Sequence, residues 1–209
     1  MVPTPVDTAM AAPWLVVGLG NPGPAYARTR HNVGFMTADE LGRRAGGRWS
    51  KARGARAEVV QTLFGPDGWG VPGPQTVKVI LVKPQTFMNN SGDAVAPLAS
   101  FHRVLVDRIV IVQDEIDLDV GVLRVKFGGG DNGHNGLKSL RARLGGGDFY
   151  RVRIGVSRPP GDRDPIDWVL GTFPQAQVEE VKVAVAEAAD AVESLLSDGL
   201  AATQNAFNR

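Results

Sequence analysis

Cysteine is absent from the 209 residues, which excludes disulfides, thiolate metal sites and a cysteine nucleophile. The absence agrees with a reducing, cytoplasmic setting. Other signatures are missing too. No serine sits in a G-x-S-x-G elbow, no H-E-x-x-H cluster marks a metal, and no Walker loop ends in Gly-Lys-Ser/Thr. No apolar run approaches the length of a membrane span, and residues 1–13 lack the basic start of a signal peptide. That Pro/Ala-rich stretch reads as a loose leader ahead of one domain over residues 14–209.

Net charge is nearly absent as well, at +1, but the charges are not evenly spread. Residues 28–56 hold eight basic side chains against Asp39 and Glu40, and residues 124–158 hold eight against Asp131 and Asp148. Residues 164–198 carry eight acidic side chains against Lys182 alone. If the two basic segments share a face, that face is an electrostatic footprint for a polyphosphate, most plausibly nucleic acid. A solvated surface with scattered charge explains the same counts equally well.

The stretch from Trp14 to Gly34 organises the rest. A short apolar run, Leu15-Val16-Val17, spills into Gly18, Gly20 and Gly23, stiffened by Pro22 and Pro24. Glycine permits positive φ and close approach to a ligand. Gly18-Leu19-Gly20-Asn21-Pro22-Gly23 also matches the G-x-G-x-x-G dinucleotide fingerprint. That fingerprint needs a helix opening within the glycines and an acidic residue at a strand tip about 20 residues on. Here the next helical pattern runs from Val33 to about Gly46, so Asp39 and Glu40 fall inside it, which counts against a nucleotide-dependent oxidoreductase.

Further strands are expected at Ala57 to Phe64, Val77 to Val82, Ile109 to Val112, Val122 to Phe127 and Val152 to Val156. Helices are expected from the polar loop at Gln85 to about His102, from Leu137 to Leu144, and from Gln175 to Leu196. The last has apolar residues alternately three and four apart. Ser91 reads as an N-cap. Alternating strands and helices predict an α/β fold: a single domain with a central mixed, largely parallel sheet and helices on both sides. In such sheets the carboxyl ends of the strands collect the site. Three of these ends present Asn21, Asn89 and Asp114, while nearby loops add His31 and Asn135.

Of three histidines, His102 lies near a helix end and His134 in a glycine loop. His31 is the candidate base, since a neutral imidazole accepts a proton near neutral pH and a carboxylate on its other nitrogen fixes the tautomer. A structural role, capping the helix that begins near Asn32, is the competing explanation. Uncharged asparagines can hold an ester, orient water or donate to an oxyanion, although asparagine is also common in loops because it tolerates the left-handed region. With no nucleophile in view, hydrolysis by a water that His31 activates is the surviving chemistry.

With these residues in hand the chain resembles the bacterial-type peptidyl-tRNA hydrolases over residues 14–208. The resemblance runs through GLGNPG with Tyr26 and TRHNVG, KPQTFMNNSG, QDEIDL, GGGDNGHNGL and FYRVRIGVSRP. It implies hydrolysis of the ester between a peptide and the tRNA 3′ end, a single α/β domain, and no metal or organic cofactor. Carried over residue by residue, the catalytic group is His31, Asp114 and Asn21, with Tyr26, Met88, Asn89 and Asn135 in the same crevice. Arg124, Lys126 and Arg153 would meet the tRNA 5′ phosphate beside its acceptor stem. The family commonly has His-Gly where Asp131-Asn132 stand and His where Gln113 stands; Asn132 can still adopt the left-handed conformation. No exposed apolar stripe calls for an obligate partner, so a monomer is expected. An RNA-binding module without catalysis would need only the basic segments and leaves the His/Asp/Asn set unexplained.

Overall fold

Three apolar runs, each too hydrophobic to face water, become the middle of one sheet. The computed structural model describes residues 12–208, so most of the leader, residues 1–11, lies outside the described residues. The strands are β1 (Trp14–Gly18), β2 (Ser50–Lys51), β3 (Ala57–Gly65), β4 (Gly68–Trp69), β5 (Val77–Pro84), β6 (Ile109–Glu115), β7 (Leu123–Phe127) and β8 (Tyr150–Gly155). They form a sheet ordered β2-β3-β5-β1-β6-β8-β7, with β4 paired to β3. The inner strands β5, β1, β6 and β8 are parallel, while β2, β3, β4 and β7 pair antiparallel at the edges. Parallel strands must be covered on both faces, which is why β1, β5 and β6 carry unbroken Val/Ile/Leu runs, while β8 alternates Arg151 and Arg153 with Val152 and Ile154.

Strand alternation divides the core in two. Trp14, Val16, Val110, Val112, Val152 and Ile154 face one layer, made by α1 (Val33–Arg44), α5 (Val178–Ser197) and α6 (Gly199–Phe207). Leu15, Val17, Ile80, Val82, Ile109 and Ile111 face the other, made by α2 (Ser91–His102) and α3 (Asn135–Leu144). Alanines 184, 188 and 191 are buried on α5, so this helix lies close to the sheet while its acidic residues face outward.

Gly18 and Gly34 set how α1 approaches. A Cβ on Gly18 would stand 2.2 Å from the Gly34 carbonyl oxygen, and one on Gly34 would stand 2.4 Å from that of Val112. Of the three opening glycines only Gly23 has positive φ, at 104°. Gly18 and Gly20 therefore serve close helix packing instead of an unusual backbone conformation, a correction to the expectation from their pattern. Asp39 and Glu40 lie within α1, which removes the dinucleotide reading of the fingerprint.

The structure changes four further details. β6 continues through Gln113, Asp114 and Glu115, beyond the end expected at Val112. Ser91 is not an N-cap: it opens α2, and its hydroxyl donates to the Met88 carbonyl at 2.8 Å. The short helix α4 (Pro165–Val169) was not anticipated, although its Asp164-Pro165 start is a helix signal; Asp164 accepts from the Ile166 amide at 2.6 Å. Nor was α6, where Gly199 at φ 79° restarts the helix. Beyond α6, the Asn208 side chain pairs with both the N–H and C=O of Val125, covering part of the exposed edge of β7.

Candidate active site

β1 lies between β5 and β6, so the loops leaving their carboxyl ends converge on one crevice of about 570 Å³. Asn21 follows β1, Met88 and Asn89 follow β5, and Asp114 stands near the end of β6; all four line it, together with Tyr26, His31, His134 and Asn135.

The Asn32 side chain braces the first loop from both sides. Its Oδ1 accepts from the Asn21 amide and its Nδ2 donates to the Asn21 carbonyl, each at 2.9 Å. The Asn21 side chain in turn accepts from the Met88 amide through Oδ1 at 2.8 Å. Because Met88 N–H can only donate, the amide orientation is fixed, and the Asn21 NH₂ is the end that Met88 does not take.

His31 sits in a single helical turn, Arg30–Asn32, that leads into α1. Its Nδ1 is 2.9 Å from both oxygens of Asp114. With Asp114 ionised, Nδ1 carries the proton and Nε2 keeps its lone pair, the tautomer that a base requires. Burial would push the His31 imidazole down, but the charge of Asp114 and its hydrogen bond outweigh it and raise the group above its ordinary value. Burial likewise pushes the Asp114 carboxyl up, and the imidazoles of His31 and His134 override this and hold it well below the usual carboxylate range.

His134 is the partner that sequence reasoning missed. Its Nε2 lies 3.0 Å from Asp114 Oδ1, and its Nδ1 accepts from the amides of Gly136 and Leu137 at 3.1 and 3.4 Å, capping α3. A ring nitrogen that accepts two N–H groups cannot carry the proton, so Nε2–H donates to Asp114. His31, Asp114 and His134 have donor atoms within 4.8 Å of one another, close enough to hold a metal ion. The tautomer argues against it, since a protonated Nε2 has no lone pair to offer. Only the hydrogen-bonding chemistry of the sequence neighbours Gly136 and Leu137 in a folded helix start reveals this.

One wall of the crevice is aromatic, with Tyr26 and Phe87 edge to face at 6.2 Å between centroids. Another part of the wall is apolar and comes from α4 and its C-cap, through Ile166, Val169 and Leu170. Arg30 fastens that wall to the His31 turn. Its guanidinium stacks 3.7 Å over Trp168 and donates to the Trp168 and Thr172 carbonyls at 3.3 and 2.9 Å. Asn89 and Asn135 are exposed on the rim, beside the starts of α2 and α3. There α2 and α3 begin, so the positive ends of their dipoles lie beside the crevice.

The basic candidates stand apart from this cluster, on the β7/β8 edge. Arg124 lies opposite Arg153 and Lys126 opposite Arg151, so all four share one face. Arg153 is held by Glu115 at 2.8 Å, and Arg151 is buried against the Gly129, Gly130 and Gly147 carbonyls. Arg124 donates to the Leu123 carbonyl at 2.8 Å. Burial and then the neighbouring Arg153 and Arg151 push the Lys126 ammonium down. Two departures from the family pattern are also visible. Asn132 has φ 47°, and Gln113 is buried, its Nε2 donating to the Asp114 carbonyl at 3.4 Å.

A family model described as "Peptidyl-tRNA hydrolase" matches residues 15–209. The chain is 58% identical over 199 residues to the peptidyl-tRNA hydrolase of Cutibacterium acnes, covering 95% of this chain and 100% of that one. It is 48% identical to that of Mycolicibacterium smegmatis, covering 94% of this chain and 97% of that one. Among solved structures, the peptidyl-tRNA hydrolase of Acinetobacter baumannii superposes with a TM-score of 0.82 at 32% identity, covering 95% of this chain and 96% of that one. The α/β architecture, the whole-length match and the sheet-end crevice agree: the chain belongs to the bacterial-type peptidyl-tRNA hydrolase family and hydrolyses peptidyl-tRNA.

Proposed function

We propose that His31 is the general base of this hydrolysis and acts through Nε2 on a water molecule. The observation that carries the reading is the 2.9 Å contact of Nδ1 with both Asp114 oxygens, which leaves the opposite nitrogen free to take a proton. Water attacks the ester carbonyl as its proton passes to Nε2; the carbon–oxygen bond to the terminal ribose then breaks, and the imidazolium returns the proton to the departing ribose oxygen. The Asn21 NH₂ donates to the developing oxyanion, and the helix N-termini beside Asn89 and Asn135 add to its stabilisation. Asn89, Asn135, Tyr26 and Met88 position the peptide and ester. Asparagine carbonyls can accept the peptide N–H, whereas a free α-ammonium loses hydration there, so an N-blocked aminoacyl group is preferred.

Arg124, Lys126 and Arg153 meet the 5′ phosphate beside the acceptor stem. Crowding of Arg124, Lys126, Arg151 and Arg153 on one face concentrates positive charge on that edge, which an anion relieves. The acidic outer face of α5 lies on the other side of the sheet and repels RNA from it. No helix among the described residues is long and apolar enough to cross a membrane, and we infer a cytoplasmic monomer whose activity resides in residues 14–209.

The test is release of free tRNA from N-acetyl-aminoacyl-tRNA in EDTA, beside unblocked aminoacyl-tRNA. Cleavage of the blocked ester alone is expected. Loss of activity in EDTA, restored by a divalent ion, would overturn the metal-independent mechanism.

A further inference from the structure

Of the two basic segments in the sequence, the β7/β8 edge accounts for the second only. In the first, Arg43 and Arg44 end α1 and are bound by Glu40, Asp190 and Glu193. Arg48, Lys51, Arg53 and Arg56 behave differently. All four are exposed, Arg48 just before β2, Lys51 within it and Arg53 and Arg56 in the hairpin turn to β3, and among the described residues no carboxylate forms an ion pair with them. Residues 41–57 contain no acidic side chain, and the next one, Glu58, lies 3.5 Å from the Lys83 ammonium.

The fold puts this hairpin at the working end of the sheet. Ala57 pairs with Pro84 at the carboxyl end of β5, which is the end from which Asn21 and Asp114 emerge. The Arg56 carbonyl accepts the Gln85 amide at 2.7 Å, and two residues later the same segment supplies Phe87 to the crevice wall. The turn is built firmly: Gly54 takes φ 73°, and Ala52 and Ala55 pack against the α2 side of the core. At about 4.8 Å per strand, β3 stands roughly 14 Å from β6 on one flank, and β7 roughly 10 Å on the other.

We propose that the β2–β3 hairpin is a second phosphate-contacting surface for the RNA of the substrate, so that its backbone is held on both flanks of the crevice. Cations without counter-ions on a rigid turn raise the local potential and lose little freedom when phosphates arrive. The proposal rests on the peptidyl-tRNA reading of the site.

The experiment compares Arg53→Ala/Arg56→Ala with a control of equal charge loss, Lys78→Ala/Arg103→Ala. Lys78 and Arg103 are exposed at the start of β5 and just past the end of α2, both at the far end of the sheet. The hairpin variant is expected to raise KM for N-acetyl-aminoacyl-tRNA by about 10-fold with kcat unchanged. Its log–log salt dependence of deacylated tRNA binding should flatten by about 1–2. The control should shift KM less than about 2-fold. Equal responses of the two variants would overturn the hairpin proposal. Failure of the wild type to hydrolyse the ester would overturn the reading of the site, and the binding measurement would still decide the hairpin.

Discussion

Asp114 and Arg44 each gather partners from distant parts of the chain, and the two clusters are built differently. Asp114 is almost fully enclosed, and both of its partners are imidazoles, at 2.9 and 3.0 Å. Arg44 lies between α1 and α5, with Glu40 at 2.9 Å, Asp190 at 2.6 Å and Glu193 at 3.1 Å, and stays partly open to water. Glu193 also accepts from the Trp69 indole at 2.7 Å, which fastens the β3–β4 hairpin to the same place. The Arg44 cluster joins three elements through one guanidinium shared among carboxylates. In the Asp114 cluster one partner, His31, is an imidazole that the carboxylate makes more basic, and it lines a crevice. Buried charge alone does not distinguish a working site from a brace; a titratable group with one unengaged atom does.

The contrast can be broken most sharply at His31. His31→Ala should lower kcat by about 10²–10⁴ while circular dichroism and the melting temperature stay near the wild type. A variant that also unfolds would mean that this imidazole is chiefly structural. Asp114→Asn tests the partner. Its carboxamide can donate to His31 Nδ1, forcing the ring proton onto Nε2, so kcat should fall on the order of 10²-fold.

The pH profile carries the sign. Only neutral His31 is a base, and Asp114 raises its value, so wild-type kcat/KM should climb with pH through a midpoint above the ordinary histidine value. Without the carboxylate, burial dominates and the midpoint of Asp114→Asn should move to lower pH. An unmoved midpoint would assign the titration to another group. Arg44→Ala should do the opposite of these changes. Allowing for solvent screening, it should cost about 1–3 kcal/mol of stability, read as a lowered melting temperature, with kcat retained.

Much of the fold could be read along the chain. The apolar runs in β1, β5 and β6 are continuous because both faces are covered, and α5 shows its buried stripe in its spacing. The same reading stopped β6 at Val112, because Gln113, Asp114 and Glu115 look like loop residues. They are strand residues whose polar side chains find partners: Asp114 the two histidines, Glu115 the guanidinium of Arg153. Helix α4 was missed because its five residues are too few for a periodic signal, although it supplies a whole wall of the crevice.

Sequence alone determined the class of the fold, the residue types available for catalysis and the uneven placement of charge. All of these depend on neighbours in the chain. Tertiary structure alone decided that His134 shares Asp114 with His31, that Arg30 fastens α4 to the His31 turn, and that the ends of three strands meet at one crevice. These depend on strand order: β1 lies between β5 and β6, so residues 83 positions apart meet at hydrogen-bonding distance. No local pattern of side chains encodes that order. It emerges from the packing of both sheet faces at once, where burial of the whole core selects one arrangement of strands.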